Sequence, residues 1–154
     1  MAERTPRVVR VESASELADA LAVRERVFVD EQGVPPDLEL DAFDELDAAT
    51  HFVAYDGDEA VGAARLRPYD GGGEDEPRRA KVERVAVLPT YRGEGLGGRL
   101  MDAVEAAAER AGFETLVLHA QTPVAGFYAA RGYRRVGEEF EEAGIPHVEM
   151  VRRV

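Results

Sequence analysis

An apolar run, Val85-Ala86-Val87-Leu88, stops at Pro89 and leads into Thr90-Tyr91-Arg92-Gly93-Glu94-Gly95-Leu96-Gly97-Gly98-Arg99. A strand, a glycine-rich turn and the opening of an amphipathic helix are the parts of an anion site. Glycines let the backbone approach a ligand, and the free N–H groups of the first helical turn point at it along the helix dipole. The local charge agrees. Between positions 78 and 101, Arg78, Arg79, Lys81, Arg84, Arg92 and Arg99 face only Glu83 and Glu94, a local surplus of +4 in a chain of net charge −12. An acidic chain that keeps one basic segment points to an anion held there.

Three phosphate-binding readings compete for this turn. A Walker loop needs Lys-Ser or Lys-Thr after its last glycine, and Gly98 is followed by Arg99-Leu100. A dinucleotide fingerprint is matched literally by Gly93, Gly95 and Gly98, but the acid that should end the next strand is misplaced, since Glu114 precedes it. The third reading fits better. Arg92-x-x-Gly95-x-Gly97, straight after a strand and Pro89, resembles the pyrophosphate loop of the GNAT superfamily of N-acetyltransferases.

The resemblance continues in a second motif, Asn-x-x-Ala-x-x-x-Tyr-x-x-x-Gly-Phe in that superfamily. Gln121, Val124, Tyr128, Gly132 and Tyr133 stand at those places, Gln121 and Val124 departing from the commonest types. Within the superfamily the chain is similar to the ElaA/YjcF-like branch. That likeness rests on Arg24-x-x-Val27-Phe28-Val29-Asp30-Glu31-Gln32-Gly33-Val34-Pro35 and on Gly144-Ile145-Pro146-His147.

The resemblance implies one acyl-CoA N-acyltransferase domain over residues 1–154. Its fold would be α/β: a mixed, mostly antiparallel sheet, splayed between its fourth and fifth strands and flanked by helices. Acetyl-CoA would lie in the V as cosubstrate, with no metal. Backbone groups of Val85, Ala86 and Val87 would meet the pantetheine arm. Those of Arg92, Gly93, Glu94, Gly95, Leu96, Gly97 and Gly98 would hold the pyrophosphate, and Gln121 would take the place of the usual asparagine. Tyr128 is then the candidate general acid for the leaving thiolate, or else a core tyrosine beside Phe127. Glu83 is the candidate base through a water, or else the partner of an arginine. Glu31, His119 and His147 are candidates for the wall of the acceptor pocket, with a solvated helix end, a satisfied core histidine and a backbone-bonded strand histidine as the plainer alternatives. A small amine is the implied acceptor, with a protein acceptor behind it, and a homodimer is common in the superfamily. A non-catalytic acyl-CoA sensor is the competing function.

Elements must position these groups. Residues 7–12 read as a first strand. Ser13 with Glu16 forms a capping box for a helix carrying Leu17, Leu21, Val27 and Phe28, ended by Gly33 and Pro35-Pro36. An acidic loop with a short helical turn spans 37–47. Strands follow over 50–56 and 60–67, turned by Gly57-Asp58, and a glycine-rich surface loop over 70–77. A strand over 81–88 precedes a helix over 95–111, with Leu96, Leu100, Val104, Ala107 and Ala111 on one face and Gly112 as its stop. A short strand over 115–119 follows. Thr122 then reads as the cap of a helix with Pro123 at its first position, closed by Gly132. Two strands, 133–140 and 146–152, end the chain.

Composition bounds the rest. The 154 residues suit one domain, and no apolar run is long enough for a bilayer crossing. The first residues show no apolar export signal, so a cytoplasmic setting is expected. Zero cysteines exclude disulfides and thiolate chemistry, and His51, His119 and His147 lack metal-ligand spacing. His51 reads as structural. A net charge of −12 repels nucleic acid and anionic membranes. With Lys81 as the only lysine, the acidic excess fits a halophilic cytoplasm or, alternatively, an arginine-preferring genome.

Overall fold

The computed structural model describes residues 5–69 and 78–154. The glycine-rich loop expected over 70–77 therefore lies outside the described residues. The elements run β1 (Arg7–Arg10), α1 (Ala14–Arg24), a π-helical segment (Glu25–Glu31), α2 (Pro36–Glu39), β2 (Thr50–Asp56), β3 (Glu59–Pro68) and β4 (Arg79–Val87). The second half continues with α3 (Leu96–Arg110), β5 (Thr115–Gln121), α4 (Ala125–Ala129), β6 (Arg134–Glu142) and β7 (Ile145–Arg153). One sheet of seven strands holds them in the order β1-β2-β3-β4-β5-β7-β6. Every neighbouring pair is antiparallel except β4 and β5.

α1 begins as its sequence dictates. The Ser13 hydroxyl accepts from the Glu16 N–H at 3.1 Å, and the Glu16 carboxylate reaches back to the Glu12 N–H at 2.8 Å. The helix buries Leu17, Ala20 and Val23 against the sheet. Its continuation is not the regular helix expected up to Gly33. The Gln32 N–H bonds to the Val27 carbonyl at 3.2 Å, and a wider i→i+5 spiral carries residues 25–31. Such widened turns are frequent at functional sites. Here the widening brings Val27, Phe28 and Gln32 to the wall of a cleft.

α3 packs on the same sheet through Leu96, Leu100, Met101, Val104, Ala107 and Ala108. Gly62 on β3 makes room for it, since a Cβ there would stand 3.1 Å from the Leu100 Cδ1. Ala111 is the exposed C-cap rather than part of the apolar face. The expected Thr122 cap does not form either. Residues 122–124 make a 3₁₀ turn, and α4 starts at Ala125 without a side-chain cap. Pro123 explains this: it sits in the first turn of the 3₁₀ piece, where its missing N–H leaves no donor unsatisfied.

Candidate active site

β4 and β5 run side by side only from the Arg79–Thr115 pair to the Val82–Leu118 pair. Beyond that both continue, β4 to Val87 and β5 to Gln121, without pairing to each other. A bulge helps to part them. On the β3 side the register jumps from Ala63–Ala86 to Arg65–Glu83, and Arg84 at the jump has φ 57°. A bulge bends its strand and re-aims side chains, and a positive φ at a residue with a Cβ is a strained conformation. The divergence opens a cleft of about 600 Å³. Glu83, Val85, Ala86, Val87 and Arg92 line it from β4 and the turn beyond. His119, Gln121, Tyr128 and His147 line it from the β5, α4 and β7 side.

Residues 93–98 lie past this lining, where the chain leaves β4. Gly93 and Gly95 have φ 77° and 84°, the left-handed region that glycine occupies without a Cβ clash. Gly95 is the N-cap of α3 and offers no side chain to the helix. The first intrahelical acceptor is the Gly95 carbonyl, which takes the Arg99 N–H at 3.1 Å. The N–H groups of Leu96, Gly97 and Gly98 precede it and have no helical acceptor. The Leu96 side chain is buried, so only its backbone can serve a ligand. Three donors without a helical acceptor at the positive end of a 15-residue helix, beside the β4 edge that β5 leaves open, fit a pyrophosphate-bearing ligand.

Most of the basic surplus around this turn is spent inside the protein. Arg78 donates to the Ala111 carbonyl at 3.1 Å. Lys81 lies 3.4 Å from Glu83, and Arg84 sits against the Leu38 and Glu39 carbonyls and Asp41. Arg92 and Arg99 are the cations left at the turn itself. Arg92 donates from Nε to the Val87 carbonyl at 3.0 Å and grips Glu31 with both terminal nitrogens at 2.7 Å. Glu31 is thus the counterion of Arg92 and does not line the cleft, which corrects its expected place in the acceptor pocket. The hydrogen bond from Arg92 holds the carboxyl of Glu31 below its usual range.

Glu83 is likewise not placed to act as a base. It accepts from Arg67 Nε at 2.6 Å and from the Arg65 NH2 nitrogen at 2.8 Å. Burial alone would push its pKa up, yet these hydrogen bonds and the charge of Arg65 bring it down to about 2. A carboxylate so deeply engaged is a weak proton acceptor. It belongs to a buried network that composition did not reveal. Arg65 is 0 % exposed and binds Asp41 at 2.7 and 2.8 Å and Asp44 at 2.9 Å. Arg24 is 1 % exposed and binds Glu39 at 2.7 Å and Asp44 at 2.5 Å. Glu39, Asp41 and Asp44 of the 37–47 segment are therefore held by arginines. One signal was present in the sequence: Arg24 and Arg65 sit at positions where the helical and strand periods call for apolar residues.

Tyr128 is 8 % exposed, while the neighbouring Tyr133 hydroxyl donates to Glu105 at 2.8 Å. Burial pushes the pKa of Tyr128 up to about 12, against a small opposing effect of Arg131, so the phenol keeps its proton at neutral pH. The Tyr133 ring meets that of Tyr128 edge-on at 5.8 Å. Gln121 donates to Gln32 Oε1 at 2.8 Å, tying the end of β5 to the π-helical segment. Gln32 stands in the branch motif without a role in the sequence, because a polar residue at a helix end carries no signal of its own. Both ring nitrogens of His119 meet carboxylates, Glu142 and Glu149, at 3.2 Å. His147 Nδ1 lies 2.6 Å from the Ile145 carbonyl oxygen. His51 is outside the cleft, its Nε2 3.1 Å from the Phe43 and Glu45 carbonyls.

The profile of the acetyltransferase (GNAT) domain family matches residues 16–154. The chain belongs to the GNAT family. Among its relatives, the uncharacterized N-acetyltransferase YjcF of Bacillus subtilis is 42% identical over 147 residues, covering 95% of this chain and 99% of that one. Protein ElaA of Escherichia coli is 34% identical over 143 residues, covering 92% and 90%. The crystal structure of Escherichia coli ElaA superposes with a TM-score of 0.80 at 29% identity, over 96% of this chain and 99% of that one. An acyl-CoA N-acyltransferase structure from Pseudomonas aeruginosa gives 0.81 at 29% identity, over 96% and 99%. The seven-stranded sheet, parted between β4 and β5, is the GNAT fold in the ElaA/YjcF-like branch. This GNAT protein is an N-acetyltransferase, and membership implies acetyl-CoA as the donor.

Proposed function

We propose that this GNAT protein moves the acetyl group of acetyl-CoA to the amine of a small-molecule acceptor by direct attack, with Tyr128 as general acid. The carrying observation is that one cleft collects a buried, protonated phenol and the edge of β4 that β5 leaves open, next to the N–H groups at the start of α3. The donor supplies a thioester, whose carbonyl carbon is the point of attack. Backbone groups at Val85, Ala86 and Val87 would align the pantetheine arm along the open edge of β4. The N–H groups of residues 92–98 would take the pyrophosphate, with Gln121 flanking the arm. A backbone N–H near Val87 would stabilise negative charge developing on the carbonyl oxygen. Tyr128 would hand its proton to the departing sulfur.

A small acceptor suits a cleft of about 600 Å³ whose wall is tied by the Gln32–Gln121 contact. Release of free thiol from acetyl-CoA in the presence of amine panels tests the reading. Tyr128→Phe is expected to lower turnover about 10²-fold or more while acetyl-CoA still raises the melting temperature as in the wild type. Wild-type turnover in the variant would return Tyr128 to the core. Binding of acetyl-CoA without thiol release from any amine would instead favour a sensor.

A further inference from the structure

The acceptor side of the cleft carries a cluster that the steps above leave unused. β5, β6 and β7 bring His119, Glu142, His147 and Glu149 together around Phe140. Both ring nitrogens of His119 are turned to carboxylates at 3.2 Å, so neither faces the cleft without a partner. The effect of His119 is to fix Glu142, whose Oε1 it holds. The hydrogen bond from His119, helped by the charge of Lys81, keeps the half-exposed Glu142 carboxyl below its usual range.

His147 is arranged differently. A carbonyl oxygen only accepts, so the 2.6 Å contact with Ile145 requires Nδ1 to carry the hydrogen. Nε2 of the neutral ring then bears the lone pair. Phe140 stacks on the imidazole at 6.0 Å and 24°, which holds its plane. The ring is 7 % exposed and forms part of the cleft wall. Nε2 lies 3.7 Å from Glu142 Oε2, too far for a direct hydrogen bond. A nitrogen seated between them could touch both. Among the described residues, the titratable and charged groups in contact with this cluster include Glu142 from β6, His119 from β5, Glu149 on β7 and Lys81 on β4.

We infer that His147 Nε2 is the catalytic base that takes a proton from the acceptor's ammonium, and that Glu142 Oε2 anchors that ammonium beside it. The inference rests on the acyl-transfer reading and narrows its substrate class to amines that arrive as cations. One ammonium proton passes to Nε2, and the freed lone pair forms the C–N bond while the C–S bond breaks. Tyr128 gives its proton to the thiolate and is restored by the second proton from nitrogen. His147 releases its proton to water, so one proton is set free for each acetyl group transferred.

The test uses the full chain, acetyl-CoA and a panel of benzylamine, phenethylamine and cadaverine, with thiol release followed against pH. His147→Asn keeps a donor where Nδ1–H stood, so the Ile145 contact survives, and it removes Nε2. Expected are a fall of about 10²-fold or more in kcat/KM and loss of the acid limb, with the melting-temperature shift by acetyl-CoA retained. Glu142→Gln is expected to raise KM for these amines about tenfold or more, with a smaller change in kcat. Nitrogen-resolved NMR of the wild-type imidazoles should show His147 as the Nδ1–H tautomer. A wild type that releases no thiol with any amine overturns the acyl-transfer reading and this inference together. Wild-type turnover that persists in His147→Asn with its acid limb intact, or an Nε2–H tautomer, overturns the assignment of the base alone.

Discussion

Arg24 and Arg65 are charges that water scarcely reaches, and each is held by carboxylates from the 37–47 segment. Desolvating an ion costs several kcal/mol, so such groups persist only where partners surround them. The partners inherit a pH dependence. Burial raises the pKa of both Glu83 and Asp44, but arginine hydrogen bonds and charge overcome it and hold each at about 2, against ordinary values of 4.5 and 3.8. A carboxyl depressed on folding contributes stability that is complete above its unfolded value and is lost as the pH falls through its folded one. Stability should therefore decline as the pH drops from about 4.5 toward 2, with Glu83 accounting for on the order of 3 kcal/mol. Urea midpoints across that range would show it, and Glu83→Gln should flatten the decline. Parallel losses in wild type and variant would remove Glu83 from the account. Periodicity alone could not disclose this network, because Asp41, Asp44 and Glu83 have ordinary acidic spacing until the chain folds them onto Arg65.

At the scale of elements, the turn into α3 was the most legible part of the chain. A left-handed residue and three free N–H groups follow directly from glycine at position 95 and from helix geometry, so the pattern carries its own physics. The widened spiral at 25–31 and the bulge at Arg84 were not legible. Both depend on neighbouring elements: one on how α1 meets the cleft, the other on the two-against-one register with β3. Thr122 misled for a similar reason, since a residue that suits a cap was outcompeted by a 3₁₀ turn. Gly95→Val tests the turn. A Cβ there meets no neighbouring atom within 4 Å, so the expected cost of roughly 1–2 kcal/mol comes from φ 84°. The larger effect should be on the ligand. In the wild type, acetyl-CoA at a hundredfold excess over Kd adds about 2.7 kcal/mol, and the variant should lose most of that shift in its melting curve. A variant that melts lower but keeps the full shift would separate the turn from the ligand.

For the whole molecule the question is where a net charge of −12 resides. The buried network does not hold it, since Arg24, Arg65, Arg67, Lys81 and Arg84 face Glu39, Asp41, Asp44 and Glu83. The surplus lies on the surface. Part of it falls on β6, which ends the sheet and exposes Glu138, Glu139, Glu141 and Glu142. Charges along an edge strand oppose pairing with another chain, and at low ionic strength the same charges repel one another. Salt acts unequally on the two populations. At molar concentration the screening length is about 3 Å, which quenches repulsion between exposed carboxylates. Buried pairs in contact are screened far less. The melting temperature should therefore rise as potassium chloride is increased from low to molar concentration, as a salt-adapted surface requires. Neutralising exposed members of the β6 row, as in Glu138→Gln with Glu139→Gln, should raise the low-salt value and shrink the rise. A melting temperature that stays flat or falls with salt would mean that the acidic surface is not what limits stability, leaving the arginine preference to the genome alone.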